Sequence, residues 1–292
     1  MGFWKAMFGG SELSPEEEKE EKTARNFDLL KYDGVKALKI GQTDYAVRCF
    51  QEALKLQEDL EVHDYLSQAL LRQGELADAM EELQVLAAAE PENDSIQLRI
   101  AQLAYMEEDY VRMAEACERA MQIDGNSAAT HYLYAQAYKG QGNVVGAIAM
   151  LTKAIALDED NPDAYLLRGQ IQLEIGETAG ADADADWLLK NEYAHEEALL
   201  LKARVEVAKG HADDAIKLYD MVTEVNPFCI EAFRERGSLR LAQGDKAGAE
   251  ADMQKVLELD PNLLADVSGD YSAEGIEQRV SQAYSAVNPL GL

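Results

Sequence analysis

Basic residues are scarce in this sequence of 292 residues. Lys and Arg number 27 against 55 Asp and Glu, which gives a formal net charge of −28. Nucleic-acid binding depends on Lys and Arg that displace counterions from phosphates, so a chain this acidic is not expected to bind DNA or RNA. The same charge favours partners of basic character, or it simply keeps the protein soluble.

Cysteine and long apolar runs are also scarce. Cys49, Cys117 and Cys229 are far apart and odd in number, so they predict neither a disulfide framework nor a zinc site. No stretch reaches the roughly 20 apolar residues of a membrane span. The opening MGFWKAMFGG is too short and too interrupted for a signal-peptide core. We therefore expect a cytoplasmic protein that has no metal and no other cofactor.

Proline is limited to 6 residues and β-branched runs are few, whereas Ala, Leu, Glu, Gln and Lys dominate. This composition favours α-helix throughout and predicts no β-sheet. One of these residue types also recurs at a fixed period. Gln68, Gln102, Gln136 and Gln170 lie 34 residues apart. The chain is longer than a typical compact domain, so the period indicates one elongated array.

Glycine and other small residues follow the same period. A column that should end one helix and open a turn comprises Gly41, Gly74, Glu108, Gly142, Gly176, Gly210 and Gly244. Seven residues before each turn stand Gly34, Ser67, Ala101, Ala135, Gly169, Ala203 and Gly237. Five residues after each turn stand Ala46, Ala79, Met113, Ala147, Ala181, Ala215 and Ala249. One small column on each helix predicts hairpins whose two helices cross closely.

This pattern resembles the tetratricopeptide repeat, a 34-residue helical hairpin. The resemblance covers seven copies, at 27–59, 60–93, 94–127, 128–161, 162–195, 196–229 and 230–263. It implies an all-α, right-handed superhelical solenoid of antiparallel helix hairpins, with Pro91, Pro227 and Pro261 closing the second helix in three copies.

The two ends are expected to complete this solenoid. Residues 1–26 should form an aromatic segment and an acidic leading helix that begins at Ser14-Pro15-Glu16-Glu17. Residues 264–292 should form a loop and a capping helix that covers the last apolar edge. The predicted apolar face of that helix comprises Ile276, Val280, Tyr284 and Val287.

Some columns depart from the family pattern. The position that favours Trp carries Leu30, His63, Gln97, His131, Tyr165, Leu199 and Phe233. We therefore interpret the two histidines as packing residues and not as catalytic bases. Ala185 stands where a large apolar residue is usual, and Trp187 is expected to be partly buried nearby.

In this family, the fifth, ninth and twelfth positions of each first helix commonly face the concave groove. The groove residues implied here are Gln68, Leu98, Gln102, Tyr105, Tyr132, Gln136, Leu166, Gln170, Leu173, Arg204 and Arg234. A Gln amide both donates and accepts, so a row of them can pair with the backbone of an extended peptide. The alternative is that the glutamines bond one another or water and help the hairpins to stack.

Two cations complete the predicted groove. Arg204 and Arg234 are expected to lie side by side, where their forked guanidinium groups would suit a carboxylate of a partner. The alternative is that they pair within the chain with Glu197 or Glu231.

Catalytic motifs are absent from the sequence. No His, Ser, Cys or carboxylate arrangement has a known catalytic spacing, and DADAD, with Asp182, Asp184 and Asp186, lacks the Gly and Glu of a calcium loop. We predict a non-catalytic scaffold that binds a protein or peptide in its groove. The rival is a structural subunit that uses its convex and terminal surfaces, and an enzyme ranks third. Membrane contact, if any, would involve Phe3, Trp4, Met7 and Phe8.

Overall fold

The structure, a computed structural model, describes residues 14–192 and 195–260. All regular structure among these residues is α-helical. The chain divides into two units, Met1–Gln141 and Gly142–Leu292. The first unit contains α1 (Pro15–Lys39), α2 (Thr43–Leu54), α3 (Leu60–Gln73), α4 (Leu76–Ala89), α5 (Asp94–Met106), α6 (Tyr110–Ile123) and α7 (Ala128–Gly140). The second unit contains α8 (Val144–Leu157), α9 (Pro162–Glu174), α10 (Thr178–Lys190), α11 (His195–Ala208), α12 (Ala212–Val225), α13 (Ile230–Ala242) and α14 (Lys246–Leu259).

Consecutive helices pack against one another in series within each unit. In the first unit every helix contacts the next, and α1 and α5 also contact α3 and α7 respectively. In the second unit the same series runs from α8 to α14, and α9 also contacts α11. This hairpin packing confirms the predicted all-α class. The boundary between the units falls inside the range 128–161, and the division into seven copies stays a prediction.

The turn column has the backbone conformation that glycine was expected to supply. All six glycines of the column have φ between 74° and 85°, in the left-handed region. Glu108, which fills the one gap, adopts the same region with φ of 56°. The turn at Glu108 therefore has the same backbone conformation as the others, although a residue with a side chain adopts this conformation less favourably than glycine.

Both small columns are buried, which confirms the predicted close crossing of the helices. A Cβ atom on Gly34 would lie 2.5 Å from the Phe50 ring. A Cβ atom on Gly169 would lie 2.7 Å from Leu201 and 3.6 Å from the backbone oxygen of Ala181. A larger side chain at either glycine would force neighbouring helices apart.

The leading helix begins as the sequence predicts. The Ser14 hydroxyl accepts the Glu17 backbone N–H at 3.3 Å, and the Glu17 carboxylate accepts the Ser14 N–H at 2.7 Å. This capping box and Pro15 at the first helical position confirm the predicted start of α1. The segment with Phe3, Trp4, Met7 and Phe8 and the predicted capping helix in 264–292 lie outside the described residues.

Buried ion pairs join the two helices of a hairpin in the second unit. Arg168 on α9 binds Asp184 on α10 with two hydrogen bonds of 2.9 and 2.7 Å. Arg236 on α13 binds Asp252 on α14 in the same way, at 3.1 and 2.6 Å. Both carboxylates are almost fully buried, so each depends on its guanidinium partner for compensation of its charge.

The DADAD segment is distributed over two sides of α10. Asp184 points inward to Arg168, whereas Asp182 and Asp186 each accept a hydrogen bond of 2.6 Å from Lys202 on α11. The alternation follows from helix geometry, because residues four apart share a face and the residue between them does not. The three carboxylates therefore stabilise the packing of neighbouring helices.

Trp187 is half-buried, as expected, and stacks on Tyr165 of α9 with ring centroids 3.7 Å apart. Ala185 is fully buried, and Leu188 on the following turn is buried in the same cluster. The aromatic stack covers the edge of this cluster where Ala185 supplies little volume.

His63 on α3 lies in a buried site between two carboxylates. Its Nδ1 contacts Glu82 of α4, and its Nε2 lies 2.6 Å from Glu58. Burial acts to lower the pKa of His63, but the hydrogen bonds and charges of Glu82 and Glu58 outweigh burial and raise it. His131, in the same column, bonds the Ser127 carbonyl at 2.8 Å. Both histidines therefore pack in the interior, as the sequence predicts.

We predict that His63 makes stability pH-dependent. Because the pKa of His63 is raised in the folded state, protonation of His63 stabilises the fold. The full contribution is present below the unfolded pKa of about 6.5 and is lost as pH rises through the folded pKa. The measurement is the urea midpoint of the wild type and of His63→Leu between pH 5 and pH 9. Leu is the natural control because Leu30 and Leu199 occupy the same column. A difference between the two proteins that does not change with pH would contradict this role of His63.

Candidate functional site

The predicted groove glutamines of the first unit differ in whether their amides are already bound. Gln68 on α3 donates to the Asp64 carboxylate at 2.9 Å, and the Gln136 amide on α7 reaches the Tyr132 hydroxyl at 3.4 Å. Gln102 on α5 is exposed, and its side chain has no hydrogen-bond partner in the described part of this unit. None of these three glutamines bonds another, so the alternative of a self-bonded glutamine row finds no support within this unit.

Apolar surface flanks the free amide of Gln102 on both sides along α5. Leu98 is half-buried, and Tyr105 is 46% exposed with its ring edge-on to Tyr110. Residues at i, i+4 and i+7 share one helix face, so Leu98, Gln102 and Tyr105 form a stripe with a polar centre. On α7, Tyr132 is half-buried beside Gln136.

The second unit presents an equivalent stripe on α9. Gln170 is half-buried and, among the described residues of this unit, its amide has no hydrogen-bond partner. Leu166 and Leu173 on either side are also half-buried and pack against the cluster of Ala181 and Leu188.

The residue four positions earlier decides whether a glutamine is free. It is Asp64 or Tyr132 for the two bound amides, and Leu98 or Leu166 for the two unpartnered ones. A polar side chain at i−4 can bond the amide within one helix, whereas leucine cannot. This signal was present in the sequence and distinguishes Gln102 and Gln170 from the other two.

Arg204 is bound within the chain, and the expectation that it is available for a partner's carboxylate is wrong. Its guanidinium makes three hydrogen bonds of 2.7 to 3.2 Å to Glu235 on α13. Glu235 is buried and also accepts the Tyr219 hydroxyl at 2.7 Å. The alternative of pairing within the chain is thus correct, but the partner is Glu235, not Glu197 or Glu231.

Tyr219 shows how enclosed this cluster is. The side chain is fully buried on α12, and burial together with the charge and hydrogen bond of Glu235 holds the pKa of Tyr219 well above its usual value. The tyrosine therefore stays protonated and donates its hydroxyl hydrogen to Glu235. Arg204 and Tyr219 together satisfy this carboxylate.

Arg234 remains the uncommitted cation of the predicted groove. It is half-buried, its Nε atom is buried without a hydrogen-bond partner, and no carboxylate among the described residues pairs with it. Ser238, one turn further along α13, also has a buried hydroxyl without a partner. Sequence analysis missed Ser238, although it follows Arg204 by 34 residues and so shares the phase of the glutamines.

Other reactive side chains are enclosed. Cys49, Cys117 and Cys229 are free and buried, and burial raises the pKa of the Cys117 thiol to about 12 and that of Cys229 to about 11. Residues 14–192 and 195–260 contain no group of three or more His, Cys, Asp or Glu that could hold a metal ion. Over the same ranges, no helix has both the length and the apolar character needed to cross a membrane.

The tetratricopeptide repeat family model matches residues 34–94, 66–128 and 200–263, which together cover more than half of the chain. A second model, described as a TPR repeat, matches residues 135–176. The protein belongs to the tetratricopeptide repeat family, and the predicted resemblance is confirmed.

Comparisons with known proteins agree on this fold. DnaJ homolog subfamily C member 3 of Gallus gallus is 22% identical over 282 residues, covering 85% of this chain. The chain spans 56% of the length of that relative. A tetratricopeptide repeat protein from Parabacteroides merdae has a TM-score of 0.67 at 15% identity, over 89% of this chain and 99% of the other.

A third similar protein is YrrB, described as a TPR protein with an unusual peptide-binding site. Its structure has a TM-score of 0.53 at 16% identity and covers 68% of this chain and 97% of the other. Identities this low establish the shared fold and nothing further.

We predict that Arg204→Ala lowers the free energy of unfolding by about 2–3 kcal/mol, because Glu235 would stay buried with only the Tyr219 hydroxyl. Adding Glu235→Gln should recover part of this loss by removing the uncompensated charge. Urea unfolding is the measurement. Arg234→Ala is the matched control and should change stability far less, since no ion pair is broken. Equal losses in the two arginine variants would contradict the structural role of Arg204.

Proposed function

We propose that this protein is a non-catalytic scaffold that binds an extended segment of a protein partner along the first helices of its hairpins. The observation that carries the proposal is the unpartnered amide of Gln102, set between Leu98 and Tyr105 on an exposed stripe. A free primary amide offers a donor and an acceptor, which is what one peptide unit of an extended backbone requires. The leucine and tyrosine flanks would contact the alternate side chains of that segment.

Gln170 between Leu166 and Leu173 supports the same mode of binding in the second unit, because its amide is also unpartnered. Bound amides at Gln68 and Gln136 would contribute less, since their own helices already satisfy them. The peptide-binding site of YrrB supports the ligand class, because that protein has the same fold.

Charge defines the partner further. The formal net charge of −28 favours a segment of positive net charge, which the protein's field would attract. The half-buried Arg234 guanidinium, through its nitrogens other than the buried Nε, would hold a carboxylate of the partner, either its C-terminus or an acidic side chain. Three free thiols fit a reducing compartment, and we propose a cytoplasmic location.

The rival function, a structural subunit of an assembly, has one observation in its favour. Met221 and Val225 on α12 and Phe228 just beyond it are exposed by 44%, 49% and 74%. An apolar surface of this kind suits association with another protein. Trp187, which the rival would also use, is stacked on Tyr165 and offers less free surface. Partner association that is lost with Phe228→Ser and unaffected by Gln102→Ala would favour the rival.

We predict that Gln102→Ala weakens the binding of an extended basic peptide, selected from a random displayed library, by about 1–1.5 kcal/mol, roughly tenfold. Thermal stability should be unchanged because Gln102 is exposed. Isothermal calorimetry measures the affinity, and Gln68→Ala is the matched control, since that amide is already bound to Asp64. Equal effects of the two substitutions, or a lower melting temperature for Gln102→Ala alone, would contradict backbone recognition by the free amide.

We predict that Arg234→Ala weakens binding of a library peptide that binds the second unit, identified as one whose affinity Gln170→Ala lowers, and makes the remaining affinity less sensitive to salt, because a charge-assisted contact is lost. Arg234→Lys should restore the charge but little of the affinity, since an ammonium cannot form the forked pair. Affinities between 50 and 500 mM NaCl check this. An unchanged salt dependence in Arg234→Ala would remove this residue from the binding site.

A further inference from the structure

A cavity of about 450 Å³ opens in the first unit between α4, α5 and α6. Ala87, Ile100 and Ile123 supply apolar wall, and Gln97 lies in the same wall. None of the predicted groove residues lines this cavity. Its volume falls in the range of pockets that bind a small molecule, and a single aromatic side chain would occupy part of it.

Gln97 is the unusual member of this wall. Its side chain is only 4% exposed, and the buried Oε1 atom has no hydrogen-bond partner. In the first unit, His63 and His131 occupy the same repeat position as Gln97, and both have hydrogen-bond partners. His63 contacts Glu58 and Glu82, and His131 bonds a backbone carbonyl. A buried amide without a partner is unfavourable, so a ligand that bonds it gains from doing so.

The repeat itself indicates which chemical group fits beside Gln97. The equivalent position in the second unit holds an aromatic ring twice, as Tyr165 and as Phe233, and Phe233 is 8% exposed. The fold therefore accommodates a ring packed between hairpins at this phase. On α5 the chain supplies a smaller, polar side chain and leaves a cavity next to it.

Charged side chains of both signs line the cavity. Arg119 and Glu92 both border it, so neither sign of charge is favoured there. Gln84 and Gln122 add neutral amides to the same rim. Arg119 is exposed and forms a long ion pair of 3.9 Å with Glu115, and its guanidinium can also cover the face of an entering ring.

We infer that this cavity binds the tyrosine side chain of a protein partner. The ring replaces, from outside, the aromatic residue that the chain itself lacks at position 97, and the phenol hydroxyl bonds the buried amide. Oε1 is enclosed in the orientation shown, and a half-turn about the last torsion of Gln97 exchanges it with the amide nitrogen and brings it to the cavity, where the phenol donates to it. A phenylalanine ring fills the same space but leaves the amide unsatisfied.

The test uses p-cresol and toluene, the side-chain analogues of Tyr and Phe, titrated into the full chain. The methyl NMR signals of Ile100 and Ile123 report occupancy of the cavity. We expect p-cresol to shift both signals and to bind about tenfold more tightly than toluene, because only the phenol bonds Gln97. Absence of a shift with p-cresol, or equal affinity for the two compounds, overturns the proposal.

Three variants separate the role of the amide from that of the space. Gln97→Leu should bind toluene and p-cresol with equal affinity. Its melting temperature should not fall, because the unsatisfied amide is gone. Gln97→Phe places a ring at this position and removes the amide, so it should also lose the preference for p-cresol. Gln102→Leu, the matched removal of an amide one helix face away, should keep the preference for p-cresol. A preference for p-cresol that survives in Gln97→Leu overturns the assignment of this residue.

Discussion

Close contact between two helices at paired small residues is the constraint on which the rest of this structure depends. A Cβ atom on Gly169 would lie 2.7 Å from the Leu201 side chain on α11 and 3.6 Å from the Ala181 backbone on α10, so α9 packs closely against both helices at this position. The same crossing recurs every 34 residues. Each crossing fixes which residues of the first helix pack against the second helix of the same hairpin. Met113 is the one large member of these columns, and its flexible chain is fully buried without disturbing the series.

Ion pairs in the interior explain where part of the scarce positive charge is used. Arg168 and Arg236 neutralise buried carboxylates within hairpins, and Arg204 neutralises Glu235 between α11 and α13. A buried carboxylate without a cation is costly, so these arginines cannot also serve a partner without loss of stability. The cationic site expected from two arginines is therefore reduced to Arg234. These pairs are neutral, so the net charge of −28 is carried by the remaining residues, and it favours a basic partner.

The sequence predicted the parts of this fold that depend on local chemistry. Ser14 and Glu17 form a capping box within four residues of each other, and the turn glycines adopt the left-handed conformation that their column indicates. The binding state of the glutamines was also encoded locally, in the residue four positions before each amide. The partner of Arg204 was not, because Glu235 is 31 residues away and meets it only through the relative rotation of two helices. The cavity beside Gln97 is of the same kind, since three helices form it.

The sequence by itself determined the helices and the turns, because each follows from residues at most a few turns apart, and it showed the period directly in its recurring residues. The tertiary structure alone decided which polar groups find a partner on another helix. Arg204 is neutralised and Arg234 is not, and Gln97 is buried without a partner while His63 has two. The physical reason is that hydrogen bonds and ion pairs act over about 3 Å. Helix positions set by packing many residues away therefore determine whether such a pair forms, and sequence periodicity carries no information at that precision.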